Sequence, residues 1–552
     1  MKLRAGSLPD LLALCVLGCV NCTSAHAATS QVPIQGSVTI TVTPSNTHPI
    51  SPYIYGINHA AGIDGLPTDL TLDRGGGNRA TAYNWETNAS NAGSDWQYQN
   101  DSGVSDSKTP AFPILADIAK DQKSGMATIV TVQMQGLVAG DTSGPVNVSN
   151  PPDMTRFKKV VYEKKTVSNL PFTLAPPVSD DYVFMDEYVW ALNQKLKGQD
   201  VFGANPSTKP VFVSLDNEPE LWNHTHLEIQ GKTGISADSY ISKTIGLATA
   251  LKKQFPDLVV FGPAHFGFIG IYNWSGDLRP TPSGANWFAD KYMQALKAAS
   301  STFGRPLVDV YDFHWYPEAT DSAGARVTTL MGPTLTDDQI QAVVQSPRSL
   351  WDKTFMEKSW ITKDVLGQPI ELLNRLQTRI DAENPGMKLA ITEYNNGGGQ
   401  HIAGTIAQAD NLGVFGAHGL FAATMWLLAA KEPYSLAGFR AFRNFDGNGH
   451  SFGDTSVRTA SSNAANVVAY LSTDSRRAGR VVVVAVNRSP MDQVTSINGQ
   501  PLSGTAHLFR MTAATAAKQS TIRPVAAGTV PVSGSSMTLT LPALSVTTVD
   551  IY

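Results

Sequence analysis

Two glutamates close apolar runs in this chain, each among residues that a hydrolytic site would use. Glu218 ends VFVSLDNE (211–218), and Glu393 stands near the end of KLAITEY (388–394). A pair of carboxylic groups facing across a cleft suits cleavage of a glycosidic bond. One, kept protonated, gives its proton to the leaving oxygen while the other attacks the anomeric carbon. A spacing of about 5–5.5 Å goes with a covalent intermediate and retention; roughly 6.5–9.5 Å leaves room for water and goes with inversion. Asn217 is placed to donate to a sugar hydroxyl beside the reacting centre. His314 and Tyr316 in FHWYP are suitable donors near a nucleophilic carboxylate, and Trp426 offers a flat face for a sugar ring.

Other chemistries compete for the same residues. His224 and His226, with His59, His265 and His314, would be the donors of a metal-dependent hydrolase. An HxH pair alone supplies no third ligand at a defined spacing, so no catalytic metal is expected. Gly75-Gly76-Gly77 lacks the GxxxxGK phosphate-binding pattern and reads as a backbone bend. A protein that binds glycan without turnover would use the same aromatic cleft, but it has no need of the carboxylate pair.

These residues share one structural context. They fall at the ends of eight runs rich in β-branched and aromatic residues, at 53–60, 70–76, 127–134, 211–218, 258–264, 308–316, 388–394 and 420–428. Amphipathic helical stretches lie between them, among them 186–198, 237–255, 285–299 and 370–383. Parallel strands covered on both faces read as continuous apolar runs. Eight of them with helical crossovers predict an α/β fold, a (β/α)8 TIM-like barrel over 49–430. Such barrels work at the C-terminal ends of their strands, where the polar residues cluster here. After 431 the pattern changes to antiparallel alternation. GSVTITVTP (36–44) matches it, so the N-terminal strand (28–48) is expected to join 431–552 in an all-β sandwich.

The 552 residues carry 16% charged side chains and a formal net charge of −4, which suits a neutral substrate and gives nucleic acid no basic surface. Residues 1–27 read as an export signal: Lys2 and Arg4, an apolar stretch from Leu11 to Val20, then Ala25-His26-Ala27 as the cleavage site. A rival reading makes Val16-Leu17-Gly18-Cys19 a lipoprotein processing site, which the bulky Leu17 fits poorly. All three cysteines lie in this segment, so a chain cleaved after Ala27 holds no disulfide. No later stretch has the length and apolarity of a membrane span. The expectation is an exported monomer.

The stretches LDRGGGNRATAYNWETNASNAGSDW (72–96), SLDNEPELW (214–222), FHWYP (313–317) and ITEYNNGGG (391–399) together resemble glycoside hydrolase family 44. Those are bacterial endoglucanases and xyloglucanases built from a barrel and a β-sandwich. The resemblance implies Glu218 as acid/base, Glu393 as nucleophile, and a β-glucan substrate cleaved with retention. It also implies that Asn58, Arg74, Asn84, Trp85, Asn217, His314, Tyr316 and Trp426 line the cleft. No cofactor is implied for catalysis, but a structural calcium ion is, with Glu86, Asp181 and Asp186 as its ligands. One departure is Gly75, where related chains carry a bulkier residue between the arginine and the glycines. No appended cellulose-binding module is apparent.

Overall fold

The computed structural model describes residues 34–552 apart from 283 and 285; the expected export signal lies outside them. The chain opens with strand β1 (Ile34–Pro49) and then runs through eight barrel strands. These are β2 (Tyr53–Asn58), β3 (Leu72–Gly75), β4 (Ala127–Val132), β5 (Val211–Leu215), β6 (Val260–His265), β7 (Val310–Trp315), β8 (Lys388–Tyr394) and β9 (Ala422–Met425). All pair in parallel in chain order, and β9 returns to β2 to close the barrel. Seven lie within runs expected to be strands, and β6 reaches one residue past its run of 258–264, to His265. Five of the eight are buried at every position, as their mostly apolar character favours, and polar residues within them such as Asp312 are hydrogen-bonded inside the barrel.

The crossover helices bury one face and leave the other wet. Helix Ala237–Gln254 starts where Ser236 accepts a hydrogen bond from the Ser239 amide, and it turns Tyr240, Leu247 and Leu251 inward. Helix Phe288–Phe303 ends at Gly304, whose φ of 90° suits glycine. Helix Ile402–Ala417 differs: nearly every residue in it is buried, because it packs between the barrel and the second domain.

That second domain holds β1 together with β10 (Thr455–Ser461), β11 (Val467–Asp474), β12 (Arg477–Asn487), β13 (Asp492–Met511), β14 (Val525–Leu541) and β15 (Ser545–Ile551). β1 pairs antiparallel with β10 and parallel with β13, so both ends of the chain build one domain. The 20-residue β13 pairs with β1 through its first half and with β15 through its second. The sheet therefore folds over a single core that includes Val38, Ile40, Leu471, Val483, Leu508 and Ile551. β10 was absent from the strands expected from sequence, since TSVRTAS buries only two residues. Among the described residues no helix is long and apolar enough to cross a membrane.

Candidate active site

The chain leaves β5 at Leu215 and bends at once. Asp216 and Glu218 adopt left-handed backbone conformations, with φ of 65° and 41°, which cost energy for residues other than glycine. Asp216 pins the bend. Its fully buried carboxylate accepts from Thr81 Oγ1 at 2.6 Å, from the Met134 and Gln135 amides at 2.6 and 2.9 Å, and from the Asn217 amide at 2.9 Å. Trp222 Nε1 donates to the Asn217 carbonyl at 3.1 Å, and the Glu218 amide donates to Ala264 on β6 at 3.0 Å. Glu218 is thereby turned into the barrel mouth.

Glu393 approaches from β8. Arg74 Nη1 donates to its Oε1 at 2.8 Å and the Tyr316 hydroxyl to its Oε2 at 2.8 Å. His314 pairs in register with Glu393 across β7 and β8, and its Nδ1 lies 2.7 Å from Glu218 Oε1 and 3.5 Å from Glu393 Oε2. One atom from each of these three side chains lies within 4.8 Å of the others. The two carboxyls are thus close neighbours with unlike surroundings. Arg74 sets a fixed positive charge against Glu393. Burial pushes the Glu218 carboxyl up to about 8, the Glu220 carboxylate adds to this, and Arg74 opposes it. Burial pushes His314 down to about 4, so it stands as a neutral imidazole beside Glu218 near pH 7.

Several expected substrate contacts turn out to be the frame that holds this pair. Asn58 is spent on protein: its Nδ2 donates to the carbonyls of Thr392, Thr424 and Met425 at 3.1–3.3 Å, and its Oδ1 accepts from Arg74 at 3.0 Å. Asn84 donates to the Ala139 carbonyl and accepts from the Glu86 amide. Trp85 is wholly buried, stacks on Tyr188 and donates to the Phe184 carbonyl. These three do not face the cleft, because their polar groups are already paired inside the protein. Arg74 is also fully buried and acts through Glu393 and Asn217. It needs Gly76 beside it, since a Cβ there would lie 2.4 Å from the guanidinium carbon.

Asn217, Tyr316 and Trp426 fit the expectation better. Asn217 Oδ1 accepts from Arg74 at 2.9 Å and from the Gly77 amide at 3.2 Å, and its Nδ2 bonds to no protein group among the described residues. Trp426 is half-buried, set edge-on to His59 with centroids 5.3 Å apart and braced against Gly77. Beside Glu218 a cavity of about 310 Å³ opens, lined in part by Phe266, Phe268, Arg326 and Trp360. Sequence reasoning missed these four. Phe266 and Phe268 lie just past the end of β6, whose polar tail was read only as far as His265. Arg326 and Trp360 follow no strand end, and only their exposure in the fold marks them.

The histidines of the metal-hydrolase reading do not gather: His226 meets Glu228, His265 meets Glu220, His59 meets the Gly76 carbonyl, and His314 alone stands with Glu218 and Glu393. The calcium ligands do not assemble either. Asp181 is exposed, while Asp186 accepts backbone N–H groups from Lys164 and Glu187. Glu86 keeps one unpartnered buried oxygen, but the Lys158 ammonium already stands 3.9 Å from it. The donor set does not fit a calcium cage built on these three acids.

Comparison with known proteins agrees with this geometry. The model of glycoside hydrolase family 44 matches residues 89–319. Endoglucanase A of Paenibacillus lautus is 36% identical over 550 residues, which cover 95% of this chain and 75% of that one. The chain belongs to glycoside hydrolase family 44. The solved family 44 endoglucanase of Clostridium thermocellum superposes with a TM-score of 0.84 at 35% identity, covering 93% of this chain and 99% of that one. The family 44 xyloglucanase of Paenibacillus polymyxa, solved with xyloglucan, gives 0.84 at 32% identity, covering 94% and 99%. Membership makes the chain a glycoside hydrolase and accounts for a carboxylate pair in the mouth of a barrel.

Proposed function

We propose that this hydrolase is a secreted endo-β-1,4-glucanase that cleaves β-glucans such as xyloglucan and carboxymethylcellulose with retention. The observation that carries this reading is the Glu218–Glu393 pair, with oxygens within 4.8 Å. An approach that close suits direct attack by the second carboxylate, which goes with carboxyl groups about 5–5.5 Å apart, better than the roughly 6.5–9.5 Å that admits a water. The likeness to endoglucanases and to a xyloglucanase supports the substrate class. Export rests on the N-terminal segment, as read from the sequence.

In the first step Glu393 attacks the anomeric carbon as Glu218 passes its proton to the departing glycosidic oxygen. The raised value of Glu218 keeps that proton available at neutral pH. In the second step Glu218, now a carboxylate, takes a proton from water, which attacks the same carbon and releases Glu393. Asn217 offers its free amide hydrogen to the sugar hydroxyl next to the reacting carbon, and Trp426 gives the ring a flat support.

The test is proton NMR of the anomer first released from xyloglucan oligosaccharides, run beside Glu218→Gln and Glu393→Gln. The β-anomer should appear first, and each variant should lose at least about 10³-fold in kcat on polymer. First release of the α-anomer, or near-normal rates in both variants, sinks the reading. Parallel assays on xylan and mannan fix the main-chain preference.

A further inference from the structure

Tyr316 is the first residue past β7, so no barrel ladder bond holds it, yet its hydroxyl meets Glu393 Oε2 at 2.8 Å. What fixes its backbone is Arg326. Arg326 Nη2 donates to the Tyr316 carbonyl at 2.5 Å and Nε to the Pro317 carbonyl at 2.9 Å, while Nη2 stands 2.8 Å from Glu318 Oε1. Among the described residues no other donor reaches either carbonyl. The planar fork of a guanidinium meets two successive carbonyls and a carboxylate at once, which an ammonium cannot do.

Arg326 is itself held. It pairs across an isolated bridge with Thr320, and the next residue, Val327, is fully buried and donates its amide to the Ala319 carbonyl at 2.9 Å. The loop between is tied down where Ala325 N and Lys358 Nζ bond to Asp321 at 2.7 and 2.6 Å. It docks against the segment that follows Glu393. There Gly397, with φ of 80°, lets the Val327 carbonyl approach to where a Cβ would be 2.0 Å away.

We propose that Arg326 is a positioning residue for the reaction: from the wall of the cavity beside Glu218 it fixes the Tyr316 backbone, so that the phenol stays on Glu393. The proposal rests on the reading of Glu393 as nucleophile. Displacing a group that orients a reacting atom by about 1 Å costs on the order of 10²-fold in rate.

The experiment is a double-mutant cycle of Arg326→Ala and Tyr316→Phe, with kcat and KM measured on xyloglucan and the melting temperature followed in parallel. Tyr316→Phe is expected to lower kcat by about 10²-fold, and Arg326→Ala by about 10-fold or more with KM changed less than about twofold. The double variant should be no slower than Tyr316→Phe alone, because Arg326 then has nothing left to position. Arg326→Lys, which keeps the charge and loses the fork, carries the same cycle where the alanine variant does not fold, and it should restore only part of kcat. Fully additive losses overturn the proposal, as does an Arg326→Ala effect confined to KM. If Glu393→Gln keeps its rate, the nucleophile assignment fails first. If that variant is dead while the cycle is additive, only the role of Arg326 fails.

Discussion

Glu218 and Glu393 are the same residue type, and their neighbours give them different work. Glu393 faces a guanidinium and a phenol, whereas Glu218 faces a neutral imidazole and lies near the Glu220 carboxylate. The raised value of Glu218 sets the alkaline limb of the reaction. Its acid form persists to about pH 8, so kcat/KM should hold through neutrality and fall roughly tenfold per unit above that. A pH profile from 5 to 10 checks this, and a limb starting near the ordinary glutamate value, about 4.3, would contradict it. The same scale shows where residue type misleads. Asn58, Asn84 and Trp85 have side chains that bind sugars well, and all three are consumed by protein partners.

At the scale of elements, β3 and helix Phe112–Ser124 meet through two buried acids. Asp73 accepts from the Ala60 amide, Asp121 accepts from Thr128 Oγ1, and the two carboxyls influence each other, with Asp117 close by. Burial pushes both upward; the Asp117 charge adds to the rise at Asp73 and the Asp73 charge to that at Asp121, while a hydrogen bond from Asp121 draws Asp73 back down. A folded value above the unfolded one means stability that is full below the ordinary aspartate value, about 3.9, and lost as pH rises through the raised values. Asp121→Asn keeps the shape and removes one titration. Its melting temperature should fall less between pH 5 and 9, with an advantage of about 1 °C on the alkaline side for each kcal/mol recovered. Parallel melting curves of both proteins that track each other across that range would refute this. Much of this scale was legible in advance: the eight barrel strands coincide with their expected runs to within a residue, because a strand buried on both faces is mostly apolar. β10 was not: it is paired on both sides, with β1 and β11, yet five of the seven residues of TSVRTAS keep some exposure, so no apolar run marks it.

Across the whole molecule, the barrel and the second domain are joined by helix Ile402–Ala417. Its Gly413 admits the Tyr470 ring, which a Cβ would strike at 2.0 Å, and the Tyr470 hydroxyl donates to Asp410 at 2.5 Å. Arg488, the residue just past β12, donates Nε to the same aspartate at 3.0 Å, and both side chains are fully buried. Removing one member of a buried pair leaves a charge without its partner, at about 3–5 kcal/mol. Arg488→Met should therefore lower the melting temperature by roughly 1 °C per kcal/mol, a few degrees in all, and Asp410→Asn in the same chain should recover part of the loss. Calorimetry of the two single variants and the double one decides it; a silent Arg488→Met would show that the domains do not depend on this contact.

The sequence by itself determined the architecture and the chemistry available. Apolar runs of strand length alternating with amphipathic helices suit a parallel sheet covered on both faces, and two glutamates at or near their ends place acids in a barrel mouth. Tertiary structure alone decided which strand-end side chains face substrate and how far apart the acids stand. Those outcomes turn on left-handed bends at Asp216 and Glu218 and on a register shift between Phe313 and His314. A slip of one residue swings a side chain from the mouth into the wall, and hydrophobic periodicity carries no record of it. Arg326 shows the same limit, since its partners at 316–318 come within reach only when the loop folds back.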